Sequence, residues 1–219
     1  MTKIKLLLSV VFISLSGFAQ TSFGLKTGVN YSYQRMIVPN DAEMDLYPLF
    51  CASIFRETNL SQNTNFLIEV GLKQTGYKIR YSNDIVSASN KSYVNQLTIS
   101  PGLTFNISEK VSFGLGSYIG YRLSDNNKFG TMSGVVGFPQ DDLIEEFSYS
   151  YKKDLVQEEE FDYGMNFSIN YFVNESIFIS SAYFYGFKDH NNWREKNKDS
   201  KLGMVMNRSL MFSVGYLFR

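Results

Sequence analysis

The chain has almost nothing with which to build a metal centre. Cys51 is its one cysteine and His190 its one histidine in 219 residues. No intramolecular disulfide, cysteine zinc site or multi-histidine site can form from that set, so no metal or other cofactor is expected. Charge of one sign is lacking too: 21 Lys+Arg balance 21 Asp+Glu. A nucleic-acid partner, which needs a basic surface to displace counterions from phosphates, is not expected. Beyond the N-terminal region no apolar run approaches the roughly 18 residues of a membrane-spanning helix. Proline is scarce, with 4 residues, whereas 19 Phe and 15 Tyr are present. That is the composition of strands rather than of helix bundles or disordered chain.

The N-terminus reads as an address. Lys3 and Lys5 precede an apolar stretch over 6–15, and Gly17 and Ala19 stand at −3 and −1 of a cut before Gln20. This is the pattern of a secretory signal peptide over 1–19, too short in its apolar part to cross a bilayer. No cysteine follows the cut, so a lipoprotein is excluded, and residues 20–219 are expected to form one exported domain.

From residue 21 onward the dominant signal is a period of two, the mark of strands with two unlike faces. In 23–33 the odd positions are mostly large and apolar and the even ones are Gly, Lys, Asn and Ser. Segments 97–107, 111–123, 163–173, 177–187 and 210–218 repeat the pattern. Segment 47–57 shows no clean phase. Segment 66–72 alternates, then slips near Gln74 and Thr75, which predicts a bulge or an exit from the membrane. Short polar turns at 58–64, 108–110 and 174–176 alternate with long connections at 35–46, 82–92, 124–160 and 188–201. The spacing predicts an all-β fold: an eight-stranded antiparallel up-and-down transmembrane β-barrel, whose strands exceed the roughly 9–11 residues that cross a bilayer at a tilt. A soluble barrel alternates as well, but its polar face would be rich in Lys, Glu and Asp. Here that face is mostly Gly, Ser, Thr and Asn, which suits a cramped interior and leaves the Phe, Tyr, Leu and Ile face for lipid.

Five stretches in order, 67–76 (LIEVGLKQTG), 113–121 (FGLGSYIGY), 161–165 (FDYGM), 183–187 (YFYGF) and 214–218 (VGYLF), resemble the porin-family, PorT-like outer-membrane barrel domain of Bacteroidetes. The resemblance covers the mature chain and implies residence in the outer membrane. It implies no shared biochemical activity. Two positions depart from the family pattern. Ala182 stands where an inward Arg is usual, and Arg219 follows Phe218, leaving Phe218 as the residue expected to be read by the barrel-assembly machinery.

The phase that turns Phe23, Leu25 and Val29 to lipid turns Lys26, Glu69, Lys73, Tyr118, Arg122 and Asp162 to the lumen. Charges there must be paired or hydrated, so a network that plugs and stiffens the barrel is expected over an internal relay or narrow pore. Open diffusion needs many more strands. Loop 124–160 holds nine acids and three lysines, a net of −6. It has no EF-hand spacing and reads as a solvated loop rather than a calcium site, with a short amphipathic helix expected over 140–155. In loop 188–201, five basic and three acidic residues surround Trp193. Trp193, Arg194 and Lys196 are candidates for contact with lipopolysaccharide phosphates or an extracellular or secretion-system protein. His190 with Asp189, and Ser180 or Ser200, have no triad spacing, so catalysis is not expected. Cys51, if turned to lipid, is simply a small hydrophobe. The reading is a non-enzymatic membrane scaffold or surface-binding protein set among outer-membrane lipid and lipopolysaccharide. A narrow solute or ion pathway is the alternative, and a surface lipid-modifying enzyme the third.

Overall fold

A computed structural model of the chain describes residues 21–35, 42–82, 87–129, 161–188 and 206–218. Nine strands run through them: β1 Thr21–Arg35, β2 Ala42–Asp45, β3 Tyr47–Ser61, β4 Thr64–Ser82, β5 Ser87–Asn106, β6 Val111–Phe129, β7 Phe161–Phe172, β8 Ile177–Gly186 and β9 Met206–Phe218. Every pairing is antiparallel. Each wall strand from β3 onward pairs with the next, β1 pairs with β3, and β9 returns to β1 through thirteen residue pairs, Phe23↔Phe218 to Arg35↔Met206. Strand β2 pairs only with β4 and continues the line of β3 outward. The wall is therefore a closed ring of eight, with no helix among the described residues.

The registers fix the barrel's shape. Following partners around the ring, Ser22 leads to Glu57, Leu67, Gly102, Gly116, Asn166, Phe184, Ser209 and then Ser32, ten residues along β1 from the start. With standard strand spacings, eight strands and that stagger give a tilt of about 40° and a backbone radius of about 8 Å, which leaves room for side chains alone.

The two faces divide as the alternation requires. On β9, Leu210, Phe212, Val214, Tyr216 and Phe218 are exposed outward, while Met211, Ser213 and Leu217 are buried inward. On β1 the outward Phe23, Leu25 and Val29 oppose the inward Lys26, Asn30 and Ser32. Water would penalise such an apolar exterior, whereas hydrocarbon accepts it. The short turns at 62–63, 107–110 and 173–176 lie at the same end as Thr21 and Phe218. Short turns mark the periplasmic end of such barrels and long loops the outer end.

Three of the expected loops are shorter than the sequence suggests. Segment 82–92 was expected as a long connection, but β4 and β5 stay paired up to Ser82↔Ser87. Strand β6 continues to Phe129, and β2 occupies part of 35–46. The reason is physical: beyond the membrane both faces of a strand meet water, so Ser, Asn and Lys occupy both and the period of two vanishes. The irregularity expected near Gln74 is present, in the ladder of β4 with β3 and β2 rather than in that with β5. The β4–β5 pairing runs unbroken through Gln74↔Asn95 and Thr75↔Val94. The β5–β6 register shifts between Asn95 and Gln96. The β3–β4 ladder stops at Cys51↔Lys73 and resumes as β2–β4 at Asp45↔Lys78, so five residues face four. Side chains bridge that seam. Asn30 Nδ2 donates to the Gln74 carbonyl (2.7 Å), Phe50 N to Gln74 Oε1 (3.1 Å), and Gly76 N to Ser32 Oγ (3.1 Å).

Candidate functional site in the barrel lumen

Register and tilt stack the inward side chains in layers, described here from the periplasmic end. The floor is aromatic. Phe55 of β3, Phe178 of β8 and Leu217 of β9 form one buried cluster, with Leu67 and Phe172 packed against it. The Phe55 and Phe178 rings meet edge to face at 5.8 Å. Glycine makes this possible. A Cβ on Gly24 would collide with the Phe55 ring, and one on Gly215 with the Phe178 ring. Each ring from one strand thus occupies the space left by a missing side chain on another.

Above the floor lies an ion pair. Lys26 Nζ stands 2.7 Å from Glu69 Oε2, and Ser53 Oγ donates to Glu69 Oε1 at 2.6 Å. The Lys26 ammonium also lies 4.9 Å from the Phe55 centroid, so it rests on the floor rings. This pair is well sequestered, with side-chain exposures of 7% and 15%.

A second apolar layer follows, made of Cys51, Tyr118, Ala182, Phe184 and Met211. Tyr118 and Phe184 meet edge to face at 5.4 Å. Tyr118 reaches across to β7 and β8, where a Cβ on Gly164 would stand 2.8 Å from its ring and one on Gly186 3.1 Å from its hydroxyl. Lys73 enters this layer from β4. Its Nζ lies 3.8 Å from the Phe184 centroid and 4.5 Å from that of Tyr118. It is 4% exposed, and no carboxylate stands within 4 Å of it among the described residues. Nearer the outer end, buried Asp162 accepts from the Tyr118 hydroxyl (3.2 Å) and from Asn207 Nδ2 (3.0 Å) through the same oxygen, Oδ2.

The six residues expected to face the lumen fall into two groups rather than one network. Lys26 and Glu69 form the lower one. Lys73, Tyr118 and Asp162 share the upper one, and Arg122 lies half-buried four residues nearer the outer rim than Tyr118. Cys51 does not face lipid: it is 4% exposed in the upper apolar layer, because its odd position on β3 shares the inward phase of Phe55. Ala182 sits beside it, so a methyl group lines the lumen at that position. Ser180 is buried on β8, and its hydroxyl has no hydrogen-bond partner among the described residues. Phe218 is exposed on the outward face at the periplasmic end of β9. Trp193, Arg194, Lys196, Asp189, His190, Ser200, Arg219, segment 1–19 and loop segment 130–160 lie outside the described residues.

Phe55, Phe178, Phe184, Ser53 and Asn207 were not singled out from the sequence. The signal that finds the rings is a large aromatic in the small-residue phase of one strand, registered near a glycine in the same phase of another. Among the described residues no three His, Cys, Asp or Glu side chains come together as a metal site.

Comparison with known proteins gives the following. No curated protein matches the chain. Among solved structures, the attachment invasion locus protein Ail of Yersinia pestis, in complex with the heparin analogue sucrose octasulfate, is 15% identical. The match covers 91% of this chain and 100% of that one, with a TM-score of 0.41. Neisserial surface protein A is 12% identical over 93% and 100% of the two chains (TM-score 0.44). OprG of Pseudomonas aeruginosa is 10% identical over 93% and 98% (TM-score 0.41). The model of the family described as outer membrane protein beta-barrel domain matches residues 8–191. An inward-charged, outward-apolar closed ring and that match lead to one conclusion: the chain belongs to the outer membrane protein beta-barrel domain family, and its place is the outer membrane.

Proposed function

We propose that the protein is a non-enzymatic scaffold of the porin-family, PorT-like kind, whose outer loops bind a surface ligand or partner. The observation that supports this most is the obstructed lumen. Two buried clusters, around Phe178 and around Tyr118, cross an interior only about 8 Å in backbone radius, so the wall serves as a mount rather than a conduit. The length of the strands points the same way. Strands β4, β5 and β6 have 19, 20 and 19 residues, roughly twice what crossing a bilayer takes. Their surplus stands at the outer end with β2 paired alongside.

The ligand chemistry we assign to loop 188–201 alone is anionic, since loop 124–160 at the same end carries a net of −6. Loop 188–201 has a net charge of +2 from five basic and three acidic residues, with Trp193 among them. Such a loop suits lipopolysaccharide phosphates. Purified lipopolysaccharide and the protein in detergent provide the test. Replacing Trp193, Arg194 and Lys196 together by Ala is expected to weaken binding roughly tenfold, about 1.4 kcal/mol. Unchanged binding by the folded triple variant removes this loop from the reading.

A further inference from the structure

The lipid-facing side of the wall carries an arginine where its phase calls for an apolar residue. Arg56 stands on the outward face of β3, between Phe23 of β1 and Ile68 of β4. Its guanidinium carbon lies 5.6 Å from the centroid of the exposed Phe23 ring, which puts the cation outside the barrel. An unconstrained arginine at a membrane boundary extends its head into water. Arg56 does not: it is 8% exposed, and its Nε is enclosed without a hydrogen-bond partner. Among the described residues no carboxylate stands within 4 Å of it. A cation so sequestered calls for an anion from outside the chain.

Two features of the wall say which anion. The first is depth. With the stagger and tilt given above, the outward residues Phe23, Phe105, Phe113, Tyr171 and Tyr216 stand within about 4 Å of one height near the periplasmic end. Arg56 belongs to the same ring. A girdle of exposed aromatics marks the level of lipid headgroups. The second feature is an apolar groove of about 650 Å³ that begins at Ile54, two residues above Arg56 on the same face. Thr27 and Ala52, paired across β1 and β3, are its small residues, set among Leu25, Ile54, Leu72 and Val214. Its volume falls in the roughly 300–1,000 Å³ of ligand sites. Arg56 and Ala52 are four residues apart, about 13 Å along the strand. The groove thus leads from headgroup level toward the bilayer midplane, along the path of an acyl chain.

We infer that Arg56 and this groove form a site for one anionic glycerophospholipid of the periplasmic leaflet. The guanidinium donates to a phosphate oxygen, and one acyl chain lies over Thr27 and Ala52. Charge supplies the preference. A chain in the groove exchanges one apolar contact for another and gains only closer packing. The site is on the wall at the end opposite loop 188–201, so its failure leaves lipopolysaccharide binding by that loop untouched.

Native mass spectrometry of the detergent-purified protein, with phosphatidylglycerol or phosphatidylcholine of matched chains, tests the site. The unmodified monomer is expected to retain one phosphatidylglycerol at least tenfold more tightly than phosphatidylcholine. Arg56→Gln is expected to abolish that preference, and Arg56→Lys to keep most of it. Ala52→Leu fills the groove, leaves the cation, and is expected to weaken both lipids several-fold. Equal retention of the two lipids by the unmodified protein overturns the proposal, as does a preference that survives Arg56→Gln. Retention unaffected by Ala52→Leu overturns it too, and so does a lipid-free dimer that Ala52→Leu dissociates, which would give the groove to a second copy. Folding of each variant is read from its heat-dependent migration on a denaturing gel. A reading on the unmodified protein covers the case in which Arg56→Gln does not fold. Its urea midpoint in phosphatidylcholine vesicles is expected to rise when phosphatidylglycerol is added, and a flat midpoint overturns the site.

Discussion

At the scale of single residues, the two lumen lysines are an instructive contrast. Lys26 has a carboxylate at 2.7 Å, whereas Lys73 rests on two ring faces with no carboxylate within 4 Å among the described residues. A desolvated cation–π contact is worth about 2 kcal/mol. Taking an ammonium out of water costs several kcal/mol even after relaxation. Desolvation therefore outweighs the rings at Lys73, and a flexible apolar side chain of similar length serves at least as well. Lys73→Met is expected to leave stability unchanged or to raise it by about 1 kcal/mol. Glu69→Gln is expected to do the opposite. It strands the Lys26 charge inside the lumen and costs about 3 kcal/mol, the low end for a broken buried pair. Urea unfolding of both variants in the same detergent measures the difference, and equal effects of the same sign would refute the division into paired and unpaired cations.

At the scale of elements, legibility followed the solvent. Strands β1, β7, β8 and β9 were plain in the sequence because lipid on one side and a narrow lumen on the other impose unlike residues at successive positions. Segment 82–92 reads as loop in the sequence because Ser82, Ser89 and Asn90 belong to strands that have left the membrane, where neither face needs to be apolar. The side of Cys51 was illegible for a local reason. Strand β3 carries Pro48 and Ala52 outward and Cys51 and Ser53 inward, so its two faces differ little in size. The lumen charges were legible as inward, but not their partition. Which rings separate Lys26 from Lys73 depends on the ten-residue stagger, a property of the closed ring that no single strand contains. Strand β9 yields the prediction at this scale. Phe218 is half exposed at its end, with its ring beside that of Tyr216 at 5.0 Å between centroids, so the folded barrel owes it little. If it is the residue read during assembly, Phe218→Ala lowers the amount of protein in the outer membrane several-fold while refolding of purified chain into detergent stays normal. Parallel loss in both assays would make Phe218 a packing residue instead.

At the scale of the whole molecule, the closed ring and the outward apolar face make one statement about solvent, and its sign can be measured. Closure leaves the eight-stranded wall no free edge, which hydrocarbon demands because it offers no hydrogen bonds to an open strand. Phe212 lies in the middle of β9, paired to Val29 on one side and Ser181 on the other, and is 46% exposed on the outer face. Were that face wet, Phe212→Arg would replace an exposed ring by a charge and change stability by no more than about 0.5 kcal/mol, with a gain in solubility. Facing lipid near the midplane, the same substitution places a guanidinium in hydrocarbon and costs about 2–4 kcal/mol. The two environments therefore predict different magnitudes for one variant. Unfolding of Phe212→Arg measured in phospholipid vesicles is expected to show the larger loss. In a short-chain detergent the loss is expected to shrink, because the charge reaches water more easily around a micelle. A loss below 0.5 kcal/mol in both would mean that the aromatic exterior does not face a bilayer.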